Sequence, residues 1–421
     1  VTRALDVLVV TDASPPVIAG GAERVLWEQS TRLAARGHGV RVLARAPDAP
    51  PAARGVAGGP AVTHFAVDRR APVAFCRTAA LGARAAATRL IAERRPDVLH
   101  VHQPLAGYGV LRAAAARGVP ALYTFHSPAP SEYRSRHGMT SLHRRGPAGM
   151  AAIAGLWLLE WSCLRRARLV HVLSDFSAER VRSLYGVPAS RIVTIAGGAD
   201  LERFRPAPDR AATRAALGLP PRAPLLFTVR NLEARMGLDR LLEAMARLRS
   251  FHPQASLVIA GTGSRAGELR RQAAALGVEG TVEFAGFVDD ARLAAYYQAA
   301  DAFVLPTREL EGFGLVTVEA LACGTPVLAT PVGATPEILA PLDPALLFRD
   351  ASAAAIADGL DRFLRALASD PGGTIALRSA CRRHAESRYG WDRAVTALEH
   401  TLATVAGRTA RLVTRAGEAS A

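Results

Sequence analysis

Residues 301–319 read Asp301-Ala-Phe-Val-Leu-Pro-Thr-Arg-Glu-Leu-Glu-Gly-Phe-Gly-Leu-Val-Thr-Val-Glu319. The apolar run Ala302–Leu305 has the length and composition of a buried parallel strand, and Pro306 closes it. Gly312 and Gly314 let the backbone bend and approach a ligand more closely than a Cβ would allow. Leu315 to Ala322 then reads as a helix whose first amides present partial positive charge to whatever lies in front. Glu311 precedes that helix and Glu319 sits one turn inside it, so one extended ligand reaches both. A diphosphate with a sugar at each end has that shape. Read more plainly, the segment is a helix start with capping acids, worth at most about 1 kcal/mol through the dipole.

The segment resembles the EX7E motif of retaining glycosyltransferases with the GT-B fold, in particular family 4. The likeness continues through Ala320-Leu-Ala-Cys-Gly-Thr-Pro-Val327 and Gly333-Ala-Thr-Pro-Glu337. The resemblance implies that Glu319 holds the ribose hydroxyls and that Glu311 meets the donor sugar. Gly312, Phe313, Gly314 and Leu315 would bind the donor through their backbone.

The rest of the composition is consistent with an enzyme of two domains. At 421 residues, half of them hydrophobic, the chain can bury two cores. Four scattered cysteines form no C-x-x-C pair or disulfide framework, and the run from Asp6 to Val10 has no basic prelude. A cytoplasmic location is expected, open to contact with a membrane surface. The formal charge of +15 is carried without a single lysine, so arginine supplies all of the basic side. Such an excess attracts sugar nucleotides, phospholipid or nucleic acid. No aromatic-basic interleaving or motif supports nucleic acid, which is not expected as a partner.

Strand-like and helix-like segments alternate throughout. The expected strands are Leu5–Val10, Val40–Ala44, Val62–Val67, Val98–His102, Ala121–Phe125, Leu169–Leu173 and Ile192–Ile195. In the second half they are Leu225–Val229, Ser256–Ala260, Val282–Phe284, Ala302–Leu305 and Val327–Ala329. The expected helices include Gly21–Arg36, Arg77–Arg94, Gly109–Arg117, Ala148–Leu164, Ser177–Tyr185 and Leu238–Arg249. This is an α/β pattern of βαβ units. It implies two doubly wound Rossmann-like domains facing across a cleft that binds ligands at the strand carboxyl ends, and the family resemblance implies that they form the GT-B architecture. Residues 1–200 form the acceptor-side domain, 201–224 a proline-rich linker, 225–388 the nucleotide-sugar domain and 389–421 a closing helix with a polar tail. Pro47–Pro60 reads as a breaker-rich surface loop.

For the diphosphate, the loop Arg230-Asn-Leu-Glu-Ala-Arg-Met-Gly237 follows a strand and precedes a helix, where a crevice opens. Arg230 and Arg235 offer fork-like contacts to phosphate oxygens. The family usually shows Gly-Arg and then Lys-Gly, yet Asn231 and Met236 occupy the aligned Arg and Lys positions. Either the basic pair is shifted by one, or only one of the two arginines binds phosphate. Gly20 and Gly21 precede a helix after the first strand and would let its N-terminus approach the diphosphate or the acceptor. His126 ends the strand Ala121–Phe125, where the family commonly has a histidine facing the sugar; a satisfied structural histidine is the rival reading. His100 and His102 share one strand face. They have no evident third ligand, so no metal or other cofactor is expected, and His102 is a candidate to line the acceptor pocket. His38 and Ser174 read as structural.

Between residues 131 and 168, Arg134, Arg136, His137, His143, Arg144 and Arg145 precede an apolar helix carrying Trp157, Glu160 and Trp161. That helix is read as a buried helix of the first domain, or as a basic-aromatic surface for an anionic membrane or a lipid-linked acceptor. The expectation is a retaining, metal-independent hexosyl-type glycosyltransferase. It would move a sugar from a nucleoside diphosphate sugar to a lipid-linked, glycan or small-molecule hydroxyl. An epimerase or phosphorylase of the same fold and a basic anion-binding protein are the rivals. Glu311→Ala is expected nearly to abolish transfer and leave folding intact.

Overall fold

The computed structural model describes residues 3–15, 20–47, 59–136, 146–221 and 223–408. Most of the loop Pro47–Pro60, the basic residues His137, His143, Arg144 and Arg145, and the tail beyond Arg408 lie outside them.

Seven strands build the first sheet: β1 (Asp6–Val10), β2 (Gly39–Arg45), β3 (Ala61–Phe65), β4 (Val98–Val101), β5 (Ala121–Phe125), β6 (Leu169–Val172) and β7 (Ile192–Thr194). Five build the second: β8 (Leu225–Val229), β9 (Ser256–Ala260), β10 (Val282–Gly286), β11 (Ala302–Leu305) and β12 (Val327–Ala329). The orders are β3-β2-β1-β4-β5-β6-β7 and β10-β9-β8-β11-β12, and the strand pairs are parallel, as in Val9 opposite Val42 and His100. Each order reverses direction once, between β1 and β4 and between β8 and β11. A doubly wound sheet opens its ligand crevice at that point, beyond the strand carboxyl ends.

Strand side chains alternate between faces, which splits each strand between two packing layers. On β1, Leu8 and Val10 pack with the helix Pro72–Glu93 through Ala79, Ala83 and Ala87. Val7 and Val9 face the helix Gly21–Ala35 through Val25, Leu26 and Leu33. This second layer runs on through Ala199, Phe204, Phe313 and Trp391 into the core of the other sheet. The two domains therefore share apolar packing at their junction.

Two elements depart from a simple division of the chain. The stretch read as a linker contains a helix, Arg210–Ala216, capped by Asp209 and tied to the second sheet by Arg210 and Arg214 on Asp301 (2.8 Å each). The closing helix Trp391–Val405 returns to the first domain, packing on the helix Gly21–Ala35, with Glu399 bonded to Arg36 and 3.4 Å from His38 Nε2. His38 also accepts from the Leu5 amide, a structural role.

The apolar helix spans Pro147–Arg166, longer than the sequence pattern suggested. By length and composition it is the one helix among the described residues able to cross a membrane. Its last turns, Glu160 to Leu164 apart from Trp161, are buried in the first domain, while Met150 and Leu158 are 46% and 54% exposed. The reading of a wholly buried helix is therefore corrected. Apart from Gly149, the buried residues lie in the C-terminal turns, where Pro104, Tyr123, Ala129 and Tyr185 supply partners.

Candidate active site

The turn after β11 is held in an uncommon backbone. Leu310 has φ 63°, the left-handed region that a branched side chain rarely adopts. Gly314 (φ 88°) begins the helix Leu315–Ala322 with no side-chain cap, so its first amides remain donors for a ligand. A Cβ on Gly312 would lie 2.6 Å from the carbonyl oxygen of His126. Glycine there is what allows this turn to rest on the end of β5. The Gly312 carbonyl in turn accepts from the hydroxyls of Ser174 (2.6 Å) and Ser177 (3.1 Å). Glu337 accepts from the amides of Asp175 (2.9 Å) and Phe176 (2.6 Å), capping a helix of the opposite domain. The two domains thus meet through hydrogen bonds at the mouth of the cleft.

Glu311 is buried and paired. Arg230 Nη2 donates to its Oε2 at 2.6 Å, to Thr307 Oγ1 at 3.0 Å and toward Met236 Sδ at 2.9 Å. Thr307 also donates to Glu311, at 2.8 Å. Arg230 is itself only 9% exposed, and its Nε is buried without a partner among the described residues. The position where the family shows lysine, Met236, supplies an apolar wall to this guanidinium. Arg235 donates from Nη1 to Leu310 O at 3.2 Å, bracing the strained turn. The two arginines therefore sit side by side around the turn, one on its carboxylate and one on its backbone. The pair also alters the expected consequence of Glu311→Ala. Removing one partner strands a buried charge, which typically costs about 3–5 kcal/mol, so folding would not be left intact.

Glu319 is 2% exposed, accepts from Tyr297 Oη at 3.0 Å and lies 3.7 Å from Arg24 Nε. Burial pushes its carboxyl up to about 7, against the pull of Arg24 and the Tyr297 bond. Arg24 comes from the other domain and also grips Asp290 with two bonds, at 2.6 and 3.1 Å. The sequence reading singles out Gly20 and Gly21 and gives Arg24 no role. Its signal was position alone: one turn after Gly20-Gly21, an arginine must face the same way as the helix start.

Gly20 and Gly21 open the helix Gly21–Ala35, again without a side-chain cap. A Cβ on Gly21 would lie 3.9 Å from Leu315 Cδ1, and one on Gly20 3.9 Å from Asn231 Nδ2. Two uncapped helix N-termini, one per domain, thus converge beside the Arg230–Asn231 loop. The side chains of Phe313 and Leu315 are buried, Phe313 edge-on to Tyr389, which leaves only their backbone for a ligand.

On the first domain's side, His126 is half-buried at the end of β5, 3.1 Å from His102 Nδ1 through its Nε2. Burial and then His171 depress its pKa to about 3, so it is neutral. Among the described residues no group of three or more potential ligands could hold a metal.

Two doubly wound domains that present uncapped helix N-termini to one cleft have the architecture of the GT-B class. The description "Glycosyl transferases group 1" matches residues 209–371, and "Glycosyltransferase Family 4" matches residues 19–203. The D-inositol 3-phosphate glycosyltransferase of Streptomyces bingchenggensis is 33% identical over 72% of this chain and 65% of its own length. That of Mycobacterium tuberculosis is 32% identical over 90% of this chain and 78% of its own. The chain thus spans just under two thirds of the first of these relatives. Among solved structures, sucrose-phosphate synthase from Thermosynechococcus elongatus superposes with a TM-score of 0.80 at 23% identity, covering 97% of this chain and 100% of that one. Anabaena HepE in complex with UDP-glucose gives 0.72 at 20% identity, covering 95% and 100%. The chain belongs to glycosyltransferase family 4 and has the GT-B fold.

Proposed function

We propose that this protein transfers a sugar from a nucleoside diphosphate sugar to a hydroxyl acceptor with retention of configuration. The observation that carries this reading is the convergence of two uncapped helix N-termini on the turn that holds Glu311. Partial positive charge from both domains meets there, where a diphosphate needs it. Arg235 and the buried Nε of Arg230 add guanidinium donors, and Glu319 takes the ribose hydroxyls. Glu311, fixed by Arg230 and Thr307, meets the sugar. Electrostatic stabilisation of the departing phosphate is the main catalytic term, with the acceptor attacking the same face. No metal is needed for this, and turnover is expected to persist in EDTA. HepE with UDP-glucose supports a uridine donor, and the names of the relatives support a phosphorylated polyol acceptor.

A lipid-linked acceptor is a second reading, favoured by the exposed apolar part of the helix Pro147–Arg166. Arg165, stacked on Trp161 at 4.9 Å, and Arg166 are both exposed on it, suiting an anionic membrane surface. Cosedimentation with phosphatidylglycerol vesicles, lost in Leu158→Glu, supports this acceptor; no cosedimentation removes it.

Calorimetric titration with UDP, GDP and ADP sugars tests the main reading. One series should bind in the micromolar range and fail to bind Glu319→Ala. No heat with any series would sink the proposal.

A further inference from the structure

Four histidines gather on three neighbouring strands behind the cleft. His100 and His102 lie on β4 and its end, His126 at the end of β5 and His171 on β6. All except His126 are at most 2% exposed. Their proton positions can be deduced from the atoms they touch.

A carbonyl oxygen only accepts, so His171 donates from Nε2 to Ile195 O (3.1 Å) and keeps a lone pair on Nδ1. The Thr124 hydroxyl, 3.0 Å from that nitrogen, must donate to it. Thr124 Oγ1 then accepts from His100 Nε2 at 2.7 Å. One backbone carbonyl therefore fixes the tautomers of two imidazoles, and burial keeps both neutral.

The outer pair has no carbonyl to settle it. His102 Nδ1 and His126 Nε2 share one proton across 3.1 Å, with the rings stacked at 25°. The other nitrogen of His102, Nε2, is buried without a partner among the described residues. If His102 carried its proton there, a donor would be buried and unpaired, the rarer kind of orphan in proteins. Placing the proton on Nδ1 pairs it with His126. His126 Nε2 is then the acceptor, and its own proton must sit on Nδ1.

We propose that His102 is a positioning residue: its Nδ1–H fixes His126 as an Nδ1-protonated, neutral imidazole that offers a hydrogen bond and cannot act as a base. This rests on the reading above in that the partner of His126 is a donor-sugar oxygen. The proton arrangement itself stands without it. An imidazole locked in this way favours a sugar that presents an acceptor lone pair, as a hydroxyl oxygen does. It takes no proton from the attacking hydroxyl, which suits removal of that proton by the departing phosphate.

Nitrogen-15 spectra of histidine-labelled full-length protein test the assignment. The His126 resonances are expected to show an unprotonated Nε2 and a protonated Nδ1. In His102→Phe the fixed tautomer should be lost to an averaged signal, and in His102→Asn, whose amide can donate from a similar place, it should return. A protonated Nε2 on His126 in the wild type, or a spectrum unmoved by His102→Phe, overturns the proposal. Melting temperatures of both variants separate a folding defect from a tautomer change. With whichever donor the titration selects, His102→Phe should lower kcat at least tenfold with KM little altered, and His102→Asn should recover most of it. Equal losses in both variants would reduce His102 to a packing residue. Failure of every donor to bind would overturn the transferase reading and leave the spectra to decide this one.

Discussion

Two apolar helices each bury one glutamate, and the contrast between them separates a site from a structural device. Glu319 and Glu160 are both 2% exposed, both accept from tyrosine hydroxyls, and both are pushed up to about 7 by burial. Glu160 is satisfied entirely within its own domain, by Tyr123 (3.2 Å), by Tyr185 and by the Ala129 amide (2.9 Å). Glu319 has one tyrosine, and its other oxygen faces Arg24 across the cleft at 3.7 Å, beyond hydrogen-bond length. Burial and a shifted titration do not mark a site by themselves. Unfilled acceptor capacity beside a charge from the opposite domain is what sets Glu319 apart.

The sharpest way to break this contrast is kinetic. Glu319→Ala is expected to lower kcat/KM about a thousandfold, because the two charge-assisted bonds to ribose hydroxyls proposed above would carry about 4 kcal/mol between them. Glu160→Gln, measured under the same conditions, should change kcat/KM by less than about threefold, since its contacts lie away from the donor. Similar losses in both would erase the distinction.

Stability should show the reverse order. Glu160→Ala leaves two buried hydroxyls and an amide without an acceptor, a loss of about 3 kcal/mol in urea unfolding. Glu319→Ala should destabilise less, because only Tyr297 is orphaned and Arg24 keeps Asp290.

A third test uses pH. A carboxyl raised from 4.5 to about 7 keeps its proton in the folded state while the unfolded chain releases it. Stability is therefore full below pH 4.5 and declines as pH rises to about 7, by up to about 3 kcal/mol per group. Denaturant midpoints at pH 5 and pH 8 should differ less in Glu160→Gln than in wild type.

The smallest effect concerns Arg24. It favours the charged form of Glu319, against Asp290 and Glu28, which act the other way. Arg24→Ala should lower kcat/KM about tenfold at pH 7, because less of Glu319 is then charged, and recover as pH rises to 9. A loss that does not recover would assign Arg24 to direct contact with the donor instead.

Much of the fold was legible because strands in a parallel sheet are continuous apolar runs with sharp ends. Ala121–Phe125, Leu225–Val229, Ser256–Ala260, Ala302–Leu305 and Val327–Ala329 match residue for residue. Where the reading slipped, packing had overridden local preference. The helix expected over Gly109–Arg117 instead occupies Pro104–Val110. Its glycines look like breakers, yet a Cβ on Gly109 would lie 1.9 Å from Ala80 O, so glycine is what lets two helices touch. Similarly, the Pro-rich stretch at 201–224 hides a helix because its two arginines answer Asp301, 87 and more residues away.

The site divides along the same line. The candidate acids, the glycines of the turn and the arginines of the loop after β8 stood out in the sequence because a helix start after a strand is where ligand chemistry limits the residues. That Arg230 would take Glu311 as its partner, that Arg24 would reach Glu319, and that Thr124 would link two histidines was not. Those pairings join residues from different strands and domains, and a buried charge or imidazole takes the partner that folding places within about 3 Å. Residue order set the chemistry available along the chain, and the meeting of two sheets decided which groups would satisfy one another.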